Sequence, residues 1–203
     1  LRKLILLCCI GAVLNACSVF DPNPGEKEVD QFIHKKDYEQ AIRIVEPLAE
    51  QGIPWAQLRL GIAYEYGQGK KQDFSTALEW YHKSAGQMVD LPWGDGVQLI
   101  SAGDAGYFNQ NNDARVAQYL IARIYAEGRK GINKNPAEAW LWAQYAQKSG
   151  HGNDIVFCCE NSKLKTKKIE AERIQKIISD TESELSDEEL KKLQQIAQKW
   201  KPN

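Results

Sequence analysis

The chain has 203 residues, with 26 Lys and Arg against 27 Asp and Glu, a net charge of −1, and 43% hydrophobic residues. That balance fits a folded domain with a real core and excludes a disordered tail, a collagen-like rod and a polytopic membrane protein. It also argues against nucleic acid as the main partner, since phosphate binding usually needs a basic excess, and five cysteines are too few for a disulfide-stapled miniprotein.

The first stretch departs sharply from these averages. Arg2 and Lys3 precede an apolar run from Leu4 to Ala16 broken only by Asn15. A basic start followed by a short apolar run is the pattern of a secretory signal. The run is too short to cross a bilayer as a helix, which takes about 20 apolar residues. It ends Leu14-Asn15-Ala16-Cys17-Ser18, which resembles a bacterial lipobox. The resemblance implies a signal peptide over 1–16, cleavage before Cys17, and a thioether-linked lipid on that cysteine. With Ser18 rather than Asp next to it, the resemblance places the anchor in the outer membrane, facing the periplasm. Cleavage would leave 187 residues with a net charge of −3, because Arg2 and Lys3 go with the signal. Residues 17–27, with Pro22, Pro24 and Gly25, read as a tether.

The body repeats itself. Asp37-Tyr38-Glu39-Gln40-Ala41 recurs 36 residues later as Asp73-Phe74-Ser75-Thr76-Ala77, and 62 residues after that as Asn135-Pro136-Ala137-Glu138-Ala139. Each copy opens with an N-cap residue, whose side chain accepts a backbone N–H that the helix leaves without a partner. Pro136 falls at the first helical position and Glu138 is spaced for a capping box. A preceding helix recurs too: Ala56-Gln57 through Tyr64 and Gly67 matches Ala117-Gln118 through Tyr125 and Gly128 at a constant offset of 61. The unit is a helix, a glycine-containing turn and a capped helix. Gly61, Ala63, Ala77 and Ala85 fall where helix backbones should approach closely, and Tyr64, Trp80, Tyr125 and Trp142 are expected to fill the wider spaces.

The run Ala56-x-x-x-Leu60-Gly61-x-x-Tyr64-x-x-Gly67-x-Gly69, then Asp73-x-x-x-Ala77-x-x-Trp80-Tyr81-x-x-Ser84-Ala85, resembles the Sel-like repeat family, a relative of tetratricopeptide repeats. The second copy, over 117–150, departs from the pattern at Ala122 and Gln147, where small residues are expected; 37–52 resembles the second half of a leading repeat. The resemblance implies an all-α fold, a short solenoid of stacked antiparallel helix pairs over 28–152, and a protein-binding role. An insertion of about 26 residues at 87–112 separates the copies, and 153–203 read as a helical cap. In the cap, Ile169, Ile174, Ile177 and Ile178 lie near helical spacing. Ser186-x-x-Glu189 is a capping box before a last helix carrying Leu190, Leu193, Ile196, Ala197 and Trp200.

No catalytic constellation emerges. His34, His82 and His151 lack metal-site or nucleophile–base spacing, and His82 reads as a surface residue. Glu65, Glu127 and Glu138 read as solvated or capping residues. Asp90, Asp95 and Asp104 lack calcium-loop spacing, and Pro92-Trp93-Gly94-Asp95-Gly96 reads as a tight turn. Neither a metal nor another cofactor is expected. Cys158 and Cys159 stay open between a vicinal disulfide, reduced thiols and a bond to another chain. The basic stretch from Lys163 to Lys176 and the acidic one from Asp180 to Glu189 read as solvated faces that attract each other.

A long insertion in a repeat array is a natural place for partner contacts, which makes Trp93, Asp95, Tyr107 and Phe108 candidate binding residues, although packing onto the solenoid is the leading reading of the aromatic ones. The expectation is therefore a non-enzymatic, lipid-anchored protein-binding scaffold. By analogy with lipoproteins carrying these repeats, a narrower version is an immunity protein that neutralises a phospholipase toxin of a type VI secretion system. The alternative is an envelope enzyme or a direct binder of peptidoglycan or lipid.

Overall fold

The computed structural model describes residues 25–86, 105–149, 155–157, 167–169 and 171–199. Among them are eight helices: α1 (Glu26–His34), α2 (Tyr38–Glu50), α3 (Pro54–Tyr66), α4 (Phe74–Gly86), α5 (Ala105–Glu127), α6 (Pro136–Ser149), α7 (Ala171–Glu182) and α8 (Asp187–Lys199). Two short strands, β1 (Ile155–Phe157) and β2 (Lys167–Ile169), pair antiparallel with Ile155 opposite Ile169. From α1 to α7 each helix packs antiparallel on the next, and α8 packs on α6, making a short all-α solenoid.

The three repeated caps form as the sequence predicts. The Asp37 side chain accepts from the Gln40 N–H at 3.4 Å, Asp73 from Ser75 and Thr76 at 2.9 and 3.1 Å, and Asn135 from Glu138 at 3.2 Å. Those amide bonds hold the Asp73 carboxyl below its ordinary range, the Thr76 N–H most of all. The turns repeat as well, because the Asp73 N–H donates to the Tyr64 carbonyl and the Asn135 N–H to the Tyr125 carbonyl. This last bond removes the expected capping box at Glu138. The Asn135 amide already has an acceptor, and the Glu138 carboxylate instead accepts from Trp142 Nε1 at 3.0 Å. At Ser186 the capping box is reciprocal: the Ser186 N–H donates to Glu189 at 3.0 Å, and the Glu189 N–H donates to Ser186 Oγ at 3.3 Å.

Two glycines mark close approaches. A Cβ on Gly61 would lie 2.5 Å from Tyr81 Cε1 and 3.3 Å from the Ala77 carbonyl oxygen, so α3 and α4 cross where only hydrogen fits. Gly69 has φ +73°, and a Cβ there would lie 2.8 Å from the Tyr38 carbonyl oxygen. The turn after α3 thus presses on α2 of the preceding layer, in a conformation few other residues adopt.

The buried side chains form two cores that share α3. One, with Val29, Val45, Trp55 and Leu60, joins α1, α2 and α3. The larger joins α3 through α7, with Leu58, Tyr81, Ile121, Ile124, Trp140 and Ile174. Tyr64 packs against both. The large aromatics in full burial are Trp55, Tyr81 and Trp140, whereas Tyr64, Trp80, Tyr125 and Trp142 are only half-buried. The expected filling residues therefore sit at the rims of the layers. Trp80 lies under Lys83, whose Nζ is 3.9 Å from the ring centroid.

Three further expectations change. The insertion does not extend to 112 as a loop, because α5 already begins at Ala105. Ile169 belongs to β2 rather than to a helix, and is buried against the larger core. The acidic residues of the cap meet the basic stretch only in part: Lys176 pairs with Asp180 at 2.8 Å, but Glu182 accepts from Trp140 Nε1 at 2.9 Å and Glu184 pairs with Lys134 at 2.6 Å, tying α7 and the turn after it to α6 and the turn before it. Gln147, which breaks the small-residue pattern, donates to Gln175 at 2.8 Å across the same junction. In α8, Leu190, Leu193 and Ala197 pack half-buried on the core while Ile196 is exposed, as suits an end cap. No helix among the described residues is long and apolar enough to cross a membrane.

A candidate interaction groove and the polar network behind it

A cavity of about 510 Å³ opens between α1, α2, α3, α5 and α7. Its apolar floor includes Ile42 and Val45 from α2, Ile62 from α3, and Val116 and Leu120 from α5. Arg59 comes from α3, Arg123 from α5 and Arg173 from α7, with Tyr38, Tyr66 and Tyr119 among them. Ile169 of β2 reaches the same cavity. A second cavity of about 530 Å³ continues from it, sharing Tyr119, Arg123 and Arg173, and has mixed charge, with Glu127, Lys134, Lys176, Asp180 and Glu184.

Behind the groove lies a buried polar network. Glu65 on α3 is 3% exposed. It accepts from the Tyr81 hydroxyl of α4 at 2.6 Å and forms an ion pair with the Arg123 guanidinium of α5. Arg123 also donates to the Tyr66 hydroxyl at 3.3 Å, while its Nε is buried with no acceptor among the described residues. Burial pushes the Tyr81 hydroxyl well above its ordinary pKa, and the Glu65 charge pushes it further. Burial works against the charge on Arg123, but Glu65, Tyr66 and Tyr81 outweigh it and hold the guanidinium above the usual arginine value. Glu65 is therefore not a solvated residue. Its sequence position gives that away only through spacing: it follows Gly61 by four, on the helix face that meets α4. Glu127, by contrast, is exposed and pairs with Arg129.

Arg59 is held by Asp30 at 2.7 Å. Nearby, burial raises the carboxyl of Asp113 to about 8 from an ordinary 3.8. Glu26 adds to the rise, Arg59 opposes it and Asp30 adds again. Between pH 4 and 8 the unfolded chain releases this proton while the native chain keeps it, so the contribution of Asp113 to stability falls as pH rises through that window. Asp113→Asn is therefore expected to melt higher than wild type at pH 8, with the gap closing towards pH 4; parallel melting curves across pH would contradict this.

His82 is not a free surface residue. It packs edge-on against Trp142, with ring centroids 4.9 Å apart, and burial lowers its pKa. His34 is exposed at the end of α1. Among the described residues, no group of three or more His, Cys, Asp or Glu side chains is placed to hold a metal ion. Of the residues singled out from sequence, Cys17, Trp93, Asp95, Cys158 and Cys159 lie outside the described residues, as do Asp90, Asp104 and His151. Tyr107 and Phe108 lie on the helical backbone of α5. The groove arginines and tyrosines went unnoticed in the sequence, because single polar residues on three separate helices carry no local pattern.

The Sel1 repeat family matches residues 31–53, 56–87 and 115–151. The chain carries three Sel1 repeats. The first Sel1 repeat begins within α1, earlier than the recurrence at Asp37 indicates. Sel1 repeats make it a helical scaffold for protein interaction. A search of the curated proteins found no match. Among solved structures, the chain is similar to a Sel1 repeat protein from Oxalobacter formigenes, at 25% identity and a TM-score of 0.30, aligned over 62% of this chain and 56% of that one. The alignment thus spans little more than half of that protein's length.

Proposed function

We propose that this chain is a lipid-anchored scaffold facing the periplasm, which captures a protein partner in this groove without catalysing a reaction. The observation that carries the binding role is the groove itself: an apolar floor ringed by three arginines and three tyrosines, with Arg123 oriented from behind by Glu65. Tyr and Arg are the residue types that most often dominate binding energy at protein interfaces. The anchor rests on the basic and apolar opening and on Leu14-Asn15-Ala16-Cys17. The partner suggested by analogy is a phospholipase effector of a type VI secretion system, with this chain as its immunity protein. A tethered scaffold of this kind would meet an incoming lipase before the lipase reaches its substrate.

Cys17→Ser should leave the protein out of the outer-membrane fraction, and unchanged fractionation would sink the anchor. Loss of the gene should sensitise cells to a phospholipase delivered by neighbouring cells, and the full chain supplied in trans should restore survival. Equal survival with and without the gene would remove the immunity role and leave a general scaffold.

A further inference from the structure

Three carboxyl groups and one guanidinium meet where α1 lies against α3 and α5. Glu26 and Asp30 stand one turn apart on α1, both half-buried beside the fully buried Val29, while Lys27 and Glu28 are exposed. Arg59 of α3 pairs with Asp30 at 2.7 Å, and only 16% and 18% of the two side chains are exposed. Asp113 of α5 precedes the buried Ala114 and Val116, and Glu26, Arg59 and Asp30 are the charges that act on it. Other charges on α5 and the helices packed on it are engaged elsewhere. Arg115 donates to the Ala146 carbonyl at 3.4 Å, Arg123 pairs with Glu65, and Glu138 accepts from Trp142. With Asp113 protonated, Asp30 and Arg59 balance and Glu26 is the one negative charge in excess. With Asp113 ionised there are two, and like charges repel strongly where water is scarce.

We infer that this seam is a pH-responsive latch, which holds the α1–α2 layer closed while Asp113 keeps its proton and loosens it when the proton leaves. Burial sets the range in which the latch works, because it is the largest cause of the rise of Asp113 to about 8. Opening of the layer returns Asp113 to water and to its ordinary value of 3.8. The closed form therefore holds a proton that the open form releases between about pH 4 and 8. Across that window opening becomes easier by up to about tenfold per pH unit, and above it the effect levels off. The α1–α2 layer is the part that responds, because α3, α4 and α5 are tied together by Glu65, Tyr81 and Arg123. Ile33 of α1 and Arg59 line the groove, so loosening reshapes one of its walls. That consequence for binding rests on the role of the groove proposed above; the pH response of the seam does not.

The test is hydrogen exchange of the full chain followed by mass spectrometry at several pH values, corrected at each for the intrinsic exchange rate. It needs no partner, so its outcome is separate from that of the groove's binding role. Expected is a loss of protection in α1 and α2 as pH rises towards about 8, by up to about tenfold per unit, with a plateau beyond. Asp113→Asn keeps the shape of the neutral form and cannot ionise, so protection in α1 and α2 should become flat with pH. Glu26→Gln should bring the plateau to lower pH, because Asp113 ionises more easily without that neighbouring charge. A carboxyl-carbon NMR titration reads Asp113 directly. A midpoint at the ordinary carboxylate value, or the same pH slope in α1 and α2 with and without Asp113→Asn, would overturn the inference. Protection in α1 and α2 that ignores pH while the melting temperature falls would overturn it too, because Asp113 would then meet water only on global unfolding.

Discussion

Glu65→Ala is expected to destabilise the protein by about 3 kcal/mol, as removal of one partner from a buried ion pair usually does. For a domain of this size that lowers the melting temperature by roughly 6–12 °C. The cost arises from what is left behind rather than from the methylene groups removed. Arg123 keeps its charge with only 18% of its side chain exposed, and the fully buried Tyr81 keeps a hydroxyl with no acceptor at Glu65. Tyr81→Phe should cost less, about 1 kcal/mol, because Glu65 still has Arg123. Glu65→Leu combined with Arg123→Leu should cost less than the two single changes added together, since an apolar pair leaves neither charge stranded. Thermal melts of the four proteins read this coupling directly; additive losses would show that the pair is not a unit.

Trp55→Ala is expected to cost about 3–5 kcal/mol, the range for emptying the space of a fully buried indole. Trp55 sits at the start of α3 in the core it shares with α1 and α2, so the loss would be felt mostly in that layer. Trp55→Phe should be much milder. It keeps most of the packing and removes an indole N–H that is buried with no acceptor among the described residues. Trp80→Ala should cost clearly less than Trp55→Ala, because Trp80 is half-buried and covered on one face by Lys83. Chemical denaturation of the three variants measures this order, and a Trp80→Ala loss equal to that of Trp55→Ala would contradict the burial assigned to each.

The repeat grammar was legible in the sequence because it is local. Asp37, Asp73 and Asn135 cap helices through bonds to residues two or three positions on, and Gly61 announces a close crossing by its size alone. What was not legible depends on partners far along the chain. Trp80 and Trp55 are both tryptophans on helices, and only the stacking of layers decides which is buried. Glu65 looks like any helical glutamate until Arg123, 58 residues later, is placed beside it. Glu138 has capping-box spacing, yet a neighbouring indole took its carboxylate while a carbonyl from the preceding helix took the amide it would have capped. The groove shows the same limit, since its arginines come from three helices and become neighbours only in the folded chain.

The two cores that meet at α3 have a consequence for how the groove can move. Its α2 wall is anchored in the smaller core, and its α5, β2 and α7 walls belong to the larger one. Glu65 and Tyr81 lock α3 to the larger core through Arg123, so α3 travels with that side. The jaw free to breathe is the α1–α2 layer, which holds α3 mainly by the packing of Trp55, Leu60 and Val45, the Gln57 bond to the Ala49 carbonyl and the Arg59 pair with Asp30. Opening of that jaw would expose α2 amides to hydrogen exchange before those of α5 or α6. A partner bridging both jaws would clamp them, and its binding energy would appear first as slowed exchange in α2, a helix in which the groove is lined only by Tyr38 and small or aliphatic side chains.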